Sequence, residues 1–141
     1  MLTASIDTSG AAAKVAAWKA AAVAGLKPGV AAAAQLFEDE AKLLVPVLTG
    51  NLRDHIHTET VTDTPEVQTL AVSPTVDAGN KYGFEPPYAR RIEKGFVGTD
   101  SLGRHYHQAA QPYMAPAFEN RQADASDAIA GAVTDALKAV A

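Results

Sequence analysis

The four histidines of this chain fall into two His-x-His pairs, His55-Ile56-His57 and His105-Tyr106-His107. Imidazole nitrogens bind transition metals, and residues two apart on a strand share a face, so each pair offers two ligands to one ion. The chemistry would be that of a small metal-binding enzyme or sensor. Against that reading, no carboxylate or thiolate motif accompanies either pair. Glu38-Asp39-Glu40 gathers three carboxylates, but neighbouring helix positions diverge by about 100° and do not converge on one point, so a solvated helix face is expected. Arg90 and Arg91, with Glu93 and Lys94, form a dense charged turn to which Arg53 and Arg104 add. That patch is small for nucleic acid and has no interleaved aromatics, which leaves ion pairing within or between subunits as its expected use. No Gly-x-Ser-x-Gly elbow, phosphate loop or dinucleotide fingerprint occurs. The expectation is a chain with no catalytic residue, no metal and no cofactor.

Those residues need a scaffold, and composition bounds its size. With 141 residues the chain suits one domain, 1–141, and its 20% charged and 48% hydrophobic content suits a globular one. A formal net charge of −4 argues against gripping nucleic acid through neutralised phosphates, though not against DNA passing nearby. The chain has no cysteine, hence no disulfide, thiolate metal site or thiol nucleophile. The opening MLTASIDTSGAAAKVAAWKA lacks the order of a secretory signal, and no stretch is expected to reach the roughly 20 apolar residues of a membrane span. A cytoplasmic, membrane-independent protein is the expectation.

Along the chain, a loose leader and an alanine-rich helix are expected over 1–27, closed by Gly25 and Pro28, with the core domain over 28–141. The stripe of Val15, Trp18 and Val23 on that helix is narrow, so its docking calls for a partner chain. A second helix begins near Pro28 and runs to Val45, where Pro46 disfavours helical geometry in the residue before it. After Thr49-Gly50 the period becomes two: Leu52, Ile56, Thr58 and Thr60 point one way and Arg53, His55, His57 and Glu59 the other, as on a half-buried strand. Turn residues at 63–66 and the stretch EVQTLAVS complete a hairpin. KYGF suggests a third short strand, PYARRIEKG a short helix capped by Gly95, and FVGTDSLGRHYHQAAQ a long loop. A closing helix follows Pro112 and Pro116, with Phe118, Ala125, Ile129, Val133, Leu137 and Val140 at helical spacing. Strands segregated between helices predict an α+β fold with a small antiparallel sheet. Because alanine buries little area, the core is expected to rest on Trp18, Leu36, Phe37, Leu43, Leu44, Leu52, Ile56, Leu70, Val72, Phe84, Ile92, Phe118, Ile129, Val133 and Leu137.

Three pieces stand in order: EAKLLVPVLTGNLRDHI, PYARRIEKG and QPYMAPAFE. Together they resemble the tail-component family of long-tailed bacteriophages, the small neck proteins known as tail-completion, tail-terminator or head-tail joining proteins. The matching positions are Pro46, Thr49, Gly50 and Leu52, then Tyr88, Ala89, Glu93 and Gly95, then Pro112, Tyr113, Pro116 and Ala117. The resemblance covers about residues 30 to 130. The chain departs from the pattern at Val47-Leu48, where a short polar residue often precedes Thr-Gly, and at His55, where a small hydroxyl residue is frequent. The resemblance implies a structural virion protein, assembled in the bacterial host cytoplasm. It would form a ring, often of six copies, between the head-completion or connector protein and the tail tube, with DNA passing through unbound. Trp18, Arg53, Arg90, Arg91, Arg104, His105 and Tyr106 are then the expected contacts with neighbouring subunits or partners.

Overall fold

The computed structural model describes residues 8–47, 50–64, 68–74 and 88–141. Among these residues four helices and two antiparallel strand pairs follow in the order α1 (Ser9–Leu44), α2 (Asn51–Asp54), β1 (Ile56–Asp63), β2 (Gln68–Pro74), α3 (Tyr88–Lys94), β3 (Phe96–Thr99), β4 (His105–Gln108) and α4 (Met114–Lys138). This is an α+β fold. The strands pair as β1 with β2 and β3 with β4, in two separate sheets. The expected third strand in KYGF, the core position Phe84 and the motif residue Thr49 lie outside the described residues.

The two expected N-terminal helices are one. α1 runs for 36 residues and carries Pro28 inside it, so the boundary expected at 27/28 falls in mid-helix. Proline there removes one intrahelical hydrogen bond, a cost that tertiary packing on both sides of it can offset. The glycines that suggested a helix end serve as a contact surface instead. A Cβ on Gly25 would stand 2.8 Å from the carbonyl oxygen of Ala132, and one on Gly29 would stand 2.9 Å from the Cα of Ile129. Only residues without a side chain allow α4 to come that close.

The core is correspondingly built from small residues. Ala21, Ala33, Ala34, Ala41, Ala117 and Ala125 are buried, as are Val45, Leu52, Ile56 and Tyr113. Of the expected large core residues that are described, only Leu52 and Ile56 are buried. Trp18, Leu43, Leu44 and Phe118 are exposed, and the other described ones are half-buried. Alanine content, discounted in the sequence as contributing little area, permits close helix approach and so determines where the core lies. The same residues make α1 long and apolar enough, by length and composition alone, to cross a membrane, contrary to expectation. Here its C-terminal part lies against α4.

At the C-terminus of α1, Val45 takes extended geometry (φ −63°, ψ 132°) as its place before Pro46 requires. Gly50 then adopts φ +82° and opens the single turn of α2, not a strand. Leu52 and Ile56 both reach the core, but as residues four apart across a helical turn. β1 starts only at Ile56, pairs with Pro74 and ends with Asp63 opposite Gln68, with a bulge between Thr60 and Thr62. The expected hairpin is present.

The expected loop at 96–111 also differs. Phe96–Thr99 pairs with His105–Gln108 in a second hairpin. Its turn is built by Asp100, whose carboxylate accepts the Leu102 and Arg104 amides at 2.9 Å each, and by Gly103 at φ +78°. In the closing helix, Val140 falls beyond the helical residues.

Candidate functional site

The three sequence pieces, far apart along the chain, meet in one place. Ala41, Val45, Leu52, Ile56, Tyr113 and Ala117 form a continuous buried cluster, and Val72, Ala89, Ile92 and Met114 pack against it. Ile56 is 0% and Tyr113 1% exposed. The first piece contributes the end of α1 and the α2 turn. The second contributes one face of α3, and the third the start of α4.

Glu93 locks the second piece to the third. α4 begins after Tyr113, whose own side chain provides no cap, so its first backbone N–H groups need another acceptor. Glu93 reaches them from α3: its Oε2 accepts the amides of Tyr113 at 2.7 Å and Met114 at 3.0 Å, and its Oε1 accepts that of Ala115 at 3.1 Å. Pro116 has no N–H to satisfy, and the Ala117 amide already donates to the Tyr113 carbonyl at 3.2 Å. Every donor at this helix start is therefore engaged. Burial pushes the Glu93 carboxyl up, but the three backbone N–H groups outweigh it and hold the group below its ordinary value of 4.5.

Gly95 extends the same joint. Its φ is +76°, and an added Cβ would stand 2.9 Å from the Gln108 carbonyl oxygen. The Gln111 amide donates to the Ile92 carbonyl at 2.7 Å, which brings the chain from β4 back beside α3. Among the other motif residues, Pro46 and Pro116 are half-buried, Pro112 is exposed, and Tyr88 opens α3 with its side chain outside the described residues.

The carboxylate run is not a solvated face. Glu38 is buried and accepts Lys42 Nζ at 2.6 Å and the Thr58 hydroxyl at 2.9 Å, which ties α1 to β1. Burial raises its pKa, and these donors bring it below 4.5. Glu40 accepts Asn120 and Arg121, both at 2.9 Å, and so fastens α1 to α4. Asn120 and then Arg121 hold its carboxyl below the ordinary value. Only Asp39 of the three is exposed. The signal missed in the sequence is that Glu38 and Glu40 sit beside the apolar stripe, within reach of donors on other elements.

His55, His57 and His105 are each engaged locally. His55 lies on the turn after α2, not on β1, with Nδ1 2.7 Å from the Asn51 carbonyl oxygen. His57 places Nδ1 3.0 Å from the His55 carbonyl and Nε2 3.1 Å from Glu59. His105 and His107 do share β4, but His105 Nδ1 faces the Thr99 hydroxyl at 3.0 Å. Among the described residues no group of three or more histidines and carboxylates is placed to hold an ion.

The expected contact residues do not gather in one place. Arg91 lies over the Phe96 ring at 4.1 Å, Arg104 Nε reaches Asp100 at 2.6 Å, and the Tyr106 hydroxyl donates to the same carboxylate at 3.0 Å, all on or beside the second hairpin. The Arg104 amide, against the pull of burial, heads the donors that hold Asp100 below its ordinary 3.8. Arg90 is exposed on α3, and Arg53 on α2 pairs with Asp54 at 3.1 Å. Trp18 stands 47% exposed on α1. A groove of about 360 Å³ opens between α1, β2 and α4, lined by apolar residues that include Phe37, Leu70, Val72, Met114 and Phe118. No family model, curated protein or solved structure matches the chain.

Proposed function

We propose that this chain is a structural virion protein of a tailed bacteriophage, forming a ring at the head-tail junction or tail end as a tail-completion or tail-terminator protein. The observation that carries the reading is the joint itself. The three pieces on which the resemblance rests supply one buried cluster and the Glu93 clamp, which is what a shared scaffold would require of them. The reading is also supported by what the fold leaves uncovered: the N-terminal turns of α1 and the second hairpin, which packs mainly on itself. Such surfaces suit neighbouring subunits, the tail tube and the connector. An acidic ring would repel DNA phosphates and let the genome slide through without specific binding. The mechanism is geometric, with no cofactor and no membrane.

Electron microscopy of the purified protein, alone and with isolated tail tubes, tests this. Rings, either free or capping tube ends, are the expected result. A chain that stays monomeric at high concentration and leaves tube ends bare contradicts the proposal.

A further inference from the structure

Phe96, Gly98, Tyr106 and Gln108 share one face of the second hairpin, because Phe96 pairs with Gln108 and Gly98 with Tyr106. A Cβ on Gly98 would stand 2.3 Å from Cζ of Phe96, so the tip of that ring lies over bare backbone. Arg91 reaches over from α3 and places its guanidinium 4.1 Å from the centroid of the same ring. The Gly95 turn and the hydrogen bond from the Gln111 amide to the Ile92 carbonyl keep α3 beside the hairpin, so this guanidinium is held in place. Stacked by its face, it keeps its N–H edge free for a planar oxyanion.

Arg91, Phe96, Tyr106 and Gln108 line a cleft of about 400 Å³ together with Thr99, Asp100 and His107. Asp100 adds no free charge to it. Its Oδ1 accepts the Leu102 and Arg104 amides, and its Oδ2 accepts Arg104 Nε and the Tyr106 hydroxyl. Among the described residues no carboxylate stands within ion-pair distance of Arg91, or of its exposed neighbours Arg90 and Lys94. This is a local cationic surface on an acidic chain: residues 88–108 hold four Lys and Arg against two Asp and Glu, and the remainder eight against fourteen. On the acidic side, Glu119 and Asp127 are exposed on α4, about 12 Å apart along its axis. They are the side-chain carboxylates among the described residues with neither a cation nor a hydrogen-bond donor beside them.

We propose that the Arg91 cleft, with Arg90 and Lys94 beside it, is a carboxylate-binding site that receives Glu119 and Asp127 from α4 of a neighbouring copy. Isolated ion pairs on a surface contribute little, because each side chain must be ordered to make them. Arg91 is already ordered by Phe96, and its planar fork takes a carboxylate through two hydrogen bonds at once. A phosphate has the same two-pronged chemistry, and the charge distribution decides between the two. A nucleic acid laid on the cleft would meet an excess of six acids on the rest of the chain, whereas a second copy brings acids to the one cationic face. Because the two patches differ, the contact is head to tail, and a run of such contacts closes into a ring when the rotation between copies allows. The inference rests on the ring reading and names a contact that builds it.

A charge swap tests it, read by sedimentation of the full chain at low salt and by microscopy of rings, free and on tail tubes. One variant combines Arg90→Glu with Arg91→Glu, the other Glu119→Lys with Asp127→Lys; all four positions are exposed, and unchanged circular dichroism verifies each fold. Each variant alone should lose self-association at least about tenfold, and an equimolar mixture should regain it, since both kinds of contact in the mixture are again between opposite charges. The regained association should fade at high salt. Arg91→Lys, which keeps the charge and loses the fork, should weaken association about tenfold, while Lys14→Glu with Lys19→Glu should leave it unchanged. A mixture that associates no better than its components overturns the proposal, as does full association of Arg91→Lys. Rings that form equally in both reversed variants overturn this contact and leave the ring reading intact. Absence of wild-type association and of rings, free or on tubes, overturns both. Duplex DNA that binds the wild type but not Arg90→Glu/Arg91→Glu, with self-association untouched, assigns the cleft to phosphates and overturns the proposal.

Discussion

The two ends of α1 have nearly the same alanine-rich composition and opposite fates. From Ala21 onward one set of small residues, Ala21, Gly25, Gly29, Ala33, Ala34 and Ala41, is buried; before it, every residue back to Thr8, Trp18 among them, faces solvent. Helix propensity accounts for both halves being helical, and hydropathy does not separate them. What separates them is the presence of a second helix, whose approach depends on Gly25 and Gly29 having no side chain. One half belongs to the folded body. The other, from Ser9 to Ala20, is helical and faces solvent.

That comparison can be broken at several points. The largest effect is expected in the joint, where Ile56→Ala leaves a cavity among fully buried neighbours and should cost about 2–5 kcal/mol in urea denaturation. Next comes the helix contact. Alanine at both Gly25 and Gly29 places methyl groups under 3.0 Å from α4 backbone atoms and should cost about 1–3 kcal/mol. Gly131→Ala, where an added Cβ meets nothing within 4 Å, should have the opposite sign and stabilise by about 0.5–1 kcal/mol. Equal effects at Gly25, Gly29 and Gly131 would show that close approach is not what those glycines provide.

Glu93→Gln removes a charged acceptor from three amides and should cost about 1–2 kcal/mol near neutral pH. The sign of its pH dependence follows from the lowered pKa. Below pH 4.5 the unfolded chain takes up protons first, so the contribution is complete above 4.5 and is lost as pH falls through the native value. The variant's stability should therefore fall less steeply below pH 4.5 than the wild type's. Some acid sensitivity persists, because Glu38, Glu40 and Asp100 are lowered too. Smallest of all, Trp18→Ala should leave the stability of the free chain within about 0.5 kcal/mol, since its side chain is already half in water.

Much of this was legible where local chemistry decides. Pro46 predicts the end of α1, Gly95 the left-handed cap of α3, Thr49-Gly50 a change of direction, and the alternation expected from Leu52 the first hairpin, although its strand begins only at Ile56. Pro28 misled because its local cost is outweighed by packing against a helix about 100 residues away. The second hairpin was hidden because its strands are only four residues each, and the Asp100 turn that makes them is satisfied by side-chain hydrogen bonds. At the joint, the resemblance named Glu93 and Tyr113, but nothing near either residue announces that one caps the helix the other precedes. Glu38 and Glu40 were misjudged for the same reason: their donors lie on other elements.

Hydrogen exchange, followed residue by residue on the free chain and on the protein bound to tail tubes, tests most directly whether the solvent-facing half of α1 is covered on assembly. The account predicts that amides of Ser9–Ala20 exchange quickly in the free chain, while Ala33–Ala41 is protected, and that the first group becomes protected on the tube. Ser9–Ala20 already protected in the monomer, or exchanging equally fast once the protein is bound, would contradict it.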